Sequence, residues 1–459
     1  LKEVNMLEKL KKIISSIDAD YADLRYEIRS DLDIEYFNKD LNRISTNSAG
    51  GFVLRILIDG GFATSTFTNI ADAEKAIKNC IINAKILSKN SPKKVKLAKV
   101  ETIKDKFTPR LNIDPDSIDI VEKIELLKKY NEIALAESKI VSTSMRLFEV
   151  KRDRFFVSSE GSEINEKLIT CGISGLLTSK KDNILQNVRV AFGGSNGFAN
   201  LQNQEEYMGK RIKIVCDLLD AEPVKGGVYN VVLNQSLAGV FTHEAFGHFS
   251  EADLIEDSPV MRQKMAIGSQ LGNPILTIID DPTIYGELGF YKYDDEGVPA
   301  KKTVLMENGI LKARLHSRVT ASEFNEPVNG HCVAEDYRYA PIIRMGTIFI
   351  QNGSDTFDSL IEKLGDGLYL CDAKGGQTAG ENFTFGAQYG YIVKNGKIDK
   401  MVRDINISGN LYETLKNINA IANDLVLSKT GGCGKGQLNI RSCHGAPHVL
   451  INNLVVGGV

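Results

Sequence analysis

The sequence predicts an α+β protein of two domains: a mixed α/β domain over residues 1–222 and a β-rich domain over residues 223–459 that carries the helix of a histidine motif. Three observations lead there. The chain has 459 residues, more than a single hydrophobic core usually spans. Its first half alternates helical and strand-like stretches, whereas the second is punctuated by hairpin signals. Between them lies Glu222-Pro223-Val224-Lys225-Gly226-Gly227, a run of turn formers that marks a boundary.

Taken in order, Met6, Leu7, Leu10, Ile13, Ile14 and Ile17 recur at helical spacing among Lys and Glu and give an opening amphipathic helix. Strands are expected over 22–29 and 33–38, then over 52–58 and 62–67 around the Asp59-Gly60-Gly61 turn. A helix over 72–88 should bury Ile77, Ile81 and Leu87. The lysine-rich stretch 91–100 reads as a solvated loop rather than a functional basic patch, and another helix covers 117–136. Strands run from 140 to 191 with a break at 158–162. Phe192-Gly193-Gly194-Ser195-Asn196-Gly197 matches neither G-x-x-x-x-G-K-S/T nor the dinucleotide pattern, so it reads as a tight loop. A helix over 203–220 closes the first domain. The second has a strand over 228–233, a buried helix over 237–246 and an irregular excursion over 251–273. Hairpins are expected at Glu307-Asn308-Gly309 and Asn395-Gly396, and short helices over 356–364 and 411–424. No internal repeat is evident.

A hydrophobic fraction of 42% and a charged fraction of 25% belong to an ordinary soluble protein. Net charge −3 and a pI near 6.2 argue against a nucleic-acid partner. No apolar run approaches the length of a membrane span, so no membrane partner is expected. The opening helix lacks a small-residue cleavage site and does not read as a signal peptide. Seven cysteines, dispersed and without C-x-x-C, suit reduced thiols. The expected compartment is the cytoplasm.

Residues 243–248 read His-Glu-Ala-Phe-Gly-His in a chain with six histidines. Neutral imidazole suits zinc, and a neighbouring glutamate that stays off the metal can take a proton from water. On an ideal helix, positions four apart lie about 40° apart around the axis, whereas positions five apart lie about 140° apart. Both rings reach one cation only if the helix widens into a π-turn or ends just before His248. Gly247, lacking a β-carbon, allows either escape. On this helix Val240, Phe241 and Phe246 are assigned to the core, His243 faces the metal, and His248 reaches it from the distorted end. The bland alternative is two helix-end histidines bonded to carbonyls.

A catalytic zinc usually takes three protein donors and keeps one position open. The remaining soft or nitrogen donors gather near the C-terminus: Cys433 within Gly431-Gly432-Cys433-Gly434-Lys435-Gly436-Gln437, then Cys443, His444 and His448. A thiolate in a glycine-rich loop can approach a metal, but a lone cysteine is as readily a small buried apolar group. A second metal site from Cys443, His444 and His448 stays open, as does a Cys433 nucleophile paired with His448.

The same motif, together with Tyr293-Asp294-Asp295-Glu296-Gly297, Tyr337-Arg338, Pro341, Arg344-Met345, Gly375-Gly376-Gln377-Thr378, the alternation over 383–391 and Cys433-Gly434-Lys435, resembles the TldD/PmbA (TldD/TldE) family of metallopeptidases, also labelled modulators of DNA gyrase. The resemblance is strong over the second half and looser over the first. It looks like the TldD type, which has the metal motif, rather than the partner type without it. It implies one Zn2+ per chain held by His243, His248 and Cys433, with Glu244 as general base. The family segment commonly reads C-G-K-x-G-Q, whereas here Lys435 is followed directly by Gly436-Gln437. The resemblance further implies cleavage of unstructured or extended peptides in an enclosed cavity, formed by a homodimer or by a heterodimer with a TldE-like subunit. His331, Tyr337, Arg338 and Arg344 are candidates for substrate binding or oxyanion donation, set against ordinary pairing within the fold. The competing reading is a non-catalytic regulatory protein of the gyrase-modulator kind that needs a partner subunit.

Overall fold

In a computed structural model describing residues 2–429 and 431–458, the N-terminal half runs α1 (Lys2–Ser15), β1 (Tyr21–Phe37), β2 (Asp40–Ile58), β3 (Gly61–Phe67), α2 (Ala73–Asn90), β4 (Lys104–Phe107), α3 (Ile120–Leu135), β5 (Ile140–Ser158), β6 (Glu163–Lys181), β7 (Ile184–Gly194) and α4 (Glu205–Asp217). Its strands form one sheet in the order β3-β2-β1-β5-β6-β4, with β7 also paired to β6.

One face of that sheet is apolar. Ala22, Leu24, Leu32 and Ile34 of β1 share one parity and therefore one side. They feed two cores, one with α1 and α2 and the other with α3 and α4. The opposite face carries Asp23, Arg25, Glu27, Arg55, Arg152 and Arg154, each no more than 6% exposed. These charges are buried against the second half. β1 is thus one continuous strand instead of the two expected over 22–29 and 33–38, because Ser30 and Asp31 simply carry it from one core to the next.

α2 is where expected, but its buried face is Ala73, Ala76, Cys80, Ala84 and Ser88. Ile77 and Ile81 flank the core, and Leu87 is 44% exposed. The helix lies too close to β3 for large side chains: a Cβ on Gly61 would fall 2.0 Å from the Ala84 carbonyl oxygen.

The second half opens with β8 (Glu222–Pro223), β9 (Gly227–Leu233) and the motif helix α5 (Gln235–Thr242). β9, Gly367–Ala379, Asn382–Lys394, Ile405–Asn410 and Val449–Gly457 pair in a closed ring. A six-stranded sheet, including Ile278–Asp280, Thr347–Ile350 and Cys443–Ala446, lies across from it. α5 packs between the two layers, where Leu237, Phe241 and Phe246 join Ile348, Phe385 and Ile451 in the largest core. Being enclosed, it is apolar on several sides rather than along one stripe. Both expected hairpins form at Asn308-Gly309 and Asn395-Gly396. The helix expected over 411–424 stops at Lys416, because Ile418–Ile421 is drawn onto the strand Val449–Gly457. Among the described residues no helix is long and apolar enough to cross a membrane.

Candidate metal centre

α5 is capped by Asn234, whose side chain accepts from the Leu237 amide, and ends at Thr242. From His243 to Gly247 the backbone widens to a π-turn, and the His248 amide donates to the His243 carbonyl, an i to i−5 bond. Of the two escapes the spacing allowed, the π-turn is the one adopted. It stacks positions five apart on one side, so that the His243 and His248 rings stand 5.2 Å apart, edge to face.

Gly247 serves this turn for a different reason than its backbone freedom. Its φ is an ordinary helical −55°. What it supplies is room, since a Cβ there would lie 2.1 Å from Met345 Sδ. Phe241 and Phe246 are buried as expected, whereas Val240 is only half-buried and lines the cleft beside the motif.

One donor atom from each of His243, Glu244, His248 and Cys433 lies within 4.8 Å of every other. Cys433 Sγ is 3.6 Å from His248 Nε2, across 185 positions of sequence. Glu244 Oε2 is 3.7 Å from the same nitrogen. Thr378, from the Gly375-Gly376-Gln377-Thr378 string, donates to the Glu244 carbonyl at 2.9 Å and reaches its carboxylate at 3.5 Å.

Sequence reasoning missed Glu251. It is fully buried, 3.5 Å from His248 Nδ1, 3.1 Å from Arg344 Nη1 and 2.9 Å from Lys435 Nζ. Lys435 also bonds Asp253 at 2.7 Å, which anchors the loop that carries Cys433. The missed signal was local: Glu251 follows His248 by three positions, one turn, and metal-binding imidazoles commonly give their other nitrogen to a carboxylate. Despite the shortened segment, Gln437 still docks, accepting from the Glu335 amide and donating to the Ala340 carbonyl.

The electrostatics follow from these contacts. Burial pushes the His243 ring well below the usual imidazole range, with His248, His444 and Arg344 adding to it. Burial also raises the Glu244 pKa above the ordinary glutamate value. Burial works against a charged His248, but its contacts with Cys433 and Glu251 prevail and lift its pKa to about 9. Burial would raise Glu251, yet His248, Arg344 and Lys435 hold it below its ordinary value.

The other sequence candidates fall elsewhere. Arg344 pairs with Glu251, behind the cluster, at 3.1 Å. His331 is buried between Asp280, at 3.0 Å, and Asn329. Tyr337 and Arg338 border a separate cleft beside Phe67, with Arg338 clasping Asp336. His448 bonds Asp424 at 2.6 Å and the Tyr369 hydroxyl at 3.0 Å, so the ring beside Cys433 is His248 rather than His448. Among the described residues only the His243 cluster brings metal-type donors together, and Cys443, His444 and His448 form no second one.

The cluster opens onto a cleft of about 640 Å³ lined by residues of β7, α4 and α5, by Asp372, Ala373, Gly375 and Gly376, and by His444. Beyond Leu370, the strand Gly367–Ala379 loses its β9 partner, so from Lys374 to Thr378 one edge has no strand partner among the described residues.

A metallopeptidase is the class that this fold and site define, and the comparisons agree. Family models described as PmbA/TldA metallopeptidase domain 1, central domain and C-terminal domain match residues 22–87, 113–218 and 226–458. The chain belongs to the PmbA/TldD metallopeptidase family. It is 32% identical to a metalloprotease of Synechocystis sp., covering 96% of this chain and 95% of that one. A metalloprotease of Methanocaldococcus jannaschii is 35% identical over 94% and 95% of the two chains. A zinc metalloprotease TldD homolog of Saccharolobus solfataricus is 27% identical over 99% and 100%. The fold is shared with a DNA gyrase modulator of Thermotoga maritima (TM-score 0.81, 19% identity, 98% and 100% coverage) and with TldE of Thermococcus kodakarensis (TM-score 0.77, 17% identity, 100% of both).

Proposed function

We propose that the chain is a zinc-dependent peptidase acting on extended peptides, with His243, His248 and Cys433 as the metal ligands and Glu244 as general base. The observation that carries this is the convergence of two imidazoles, a thiol and a free carboxylate within 4.8 Å at the wall of a cleft. Two nitrogens and one sulfur suit a tetrahedral zinc with its fourth position open. His243 Nδ1 is buried without a hydrogen-bond partner among the described residues, which a cation among these donors would satisfy. Glu251 turns the His248 ring so that Nε2 faces the other donors.

Zinc, when bound, supplies the Lewis acidity that makes water nucleophilic near neutral pH. Glu244, held by Thr378 and made more basic by burial, accepts the water proton and later returns it to the departing amine. The free edge from Lys374 to Thr378 gives main-chain donors and acceptors to an extended peptide, which accounts for binding with little side-chain preference. A second copy of this chain or a TldE-like subunit would cover the cleft; the shared fold with TldE supports a partner of that shape.

Elemental analysis of the purified chain should find about one zinc per chain, and chelation should stop cleavage of an unfolded peptide. Glu244→Ala should keep the zinc and lose turnover by about 10²–10⁴-fold. Full activity in metal-free protein rules the reading out.

A further inference from the structure

We infer that His444 is the hydrogen-bond donor to the carbonyl oxygen of the scissile peptide, the oxygen that becomes negative as water adds. This rests on the peptidase reading above. None of the four residues singled out from sequence for that role lines the cleft. His444 does, on the strand Cys443–Ala446 directly under α5. Its ring stands 5.9 Å from the His243 ring, edge to face. A Cβ on Gly239 would come within 3.0 Å of His444 Cδ2, so the glycine leaves the ring its place.

Two cationic groups that line the cleft are engaged: Lys429 pairs with Glu287 at 2.8 Å, and Arg211 with Asp372 and Gln388. Arg189 of β7 also lines the cleft, its carbonyl accepting from Arg211 and its amide donating to Gln388. The His444 ring makes no hydrogen bond to another described residue and stands outside the four-donor cluster. An imidazole offers at least one N–H whatever its tautomer. A polar ring unpaired among the described residues, beside the reacting centre, is placed to serve an oxygen that the substrate brings.

The step balances without His444 losing its proton. Water oxygen forms a bond to the peptide carbon, the C=O π pair moves to oxygen, and Glu244 takes the water proton. The N–H of His444 donates to that oxygen throughout. The C–N bond then breaks as Glu244 returns the proton to nitrogen.

The test compares wild type, His444→Phe, which keeps a ring of similar shape, and His444→Gln, which keeps an N–H. Zinc per chain, kcat, KM and the affinity of a phosphinic peptide, a mimic of the tetrahedral species, are measured for each. His444→Phe should keep its zinc, lose about 10²–10³-fold in kcat with KM nearly unchanged, and lose phosphinic-peptide affinity in parallel. His444→Gln should recover part of both. Wild-type turnover in His444→Phe, loss of its zinc, or undiminished phosphinic affinity overturns the assignment. If His444→Phe fails to fold, His444→Gln decides, and a fall in its kcat with no fall in phosphinic affinity overturns it. Inactive zinc-loaded wild type would instead sink the peptidase reading beneath it.

Discussion

His248 Nδ1 lies 3.5 Å from the buried carboxylate of Glu251, and this contact sets which ring nitrogen faces Cys433. Glu251 is in turn held by Arg344 and Lys435, so one buried acid links the helix motif, the Arg344-Met345 string and the Cys433-Gly434-Lys435 loop. In Glu251→Gln the single amide oxygen can replace Oε1, which meets Arg344, or Oε2, which meets Lys435 and His248, but not both, so the variant should be less stable and zinc affinity should fall about 10–100-fold. Competition against a calibrated chelator measures this; unchanged affinity would show that Glu251 does not orient the ring.

Zinc affinity should also rise with pH. In the metal-free chain His248 titrates at about 9, raised above its ordinary value, so at neutral pH it carries a proton that a cation must displace. Below that value, affinity should climb about tenfold per pH unit for each proton released, and flatten as pH passes it. Titrations between pH 6 and 9 decide the matter, and a flat profile contradicts it.

Gly247→Ala should destabilise the protein although alanine favours helix by about 1 kcal/mol. The new methyl overlaps Met345 Sδ in a filled core, at a cost of about 1–3 kcal/mol beyond that gain. Met345→Ala should relieve much of it in the double variant, read as a coupling in urea unfolding. Additive effects would mean the two residues do not meet.

Asp295 ties the halves together. It pairs with Arg25 at 2.9 Å and Arg154 at 2.8 Å and accepts from the Ala334 amide at 2.7 Å. Burial opposes its charge, but Arg25, Arg154 and Arg152 hold it well below the usual carboxylate range. Asp295→Asn should cost about 3–5 kcal/mol, because it leaves buried guanidinium groups undercompensated. The sign for wild type follows: a depressed folded pKa gives stability that is present above the unfolded pKa and is lost as pH falls towards the folded one. Denaturant midpoints of both proteins against pH test this; equal midpoints at neutral pH refute it.

Much of the fold was legible from local pattern. The hairpins at Asn308-Gly309 and Asn395-Gly396, the helices near 72–88 and 117–136 and the enclosed helix before His243 all follow from periodicity and turn chemistry. Errors arose where tertiary packing reversed the usual meaning of a residue type. Small Ala and Cys, not Ile and Leu, face the core in α2, and β1 buries charges on its second face.

For the site, the sequence alone determined that His243 and His248, five positions apart, needed a π-turn or a helix end to share one side, because helical pitch is a local property of the backbone. Only the tertiary structure decided which escape is used, that Cys433 meets His248, and that Glu251, Arg344 and Lys435 form a buried support behind them. Those partners are separated by up to 185 positions. Their meeting depends on how the barrel and the six-stranded sheet close around α5, and no spacing along the chain records that.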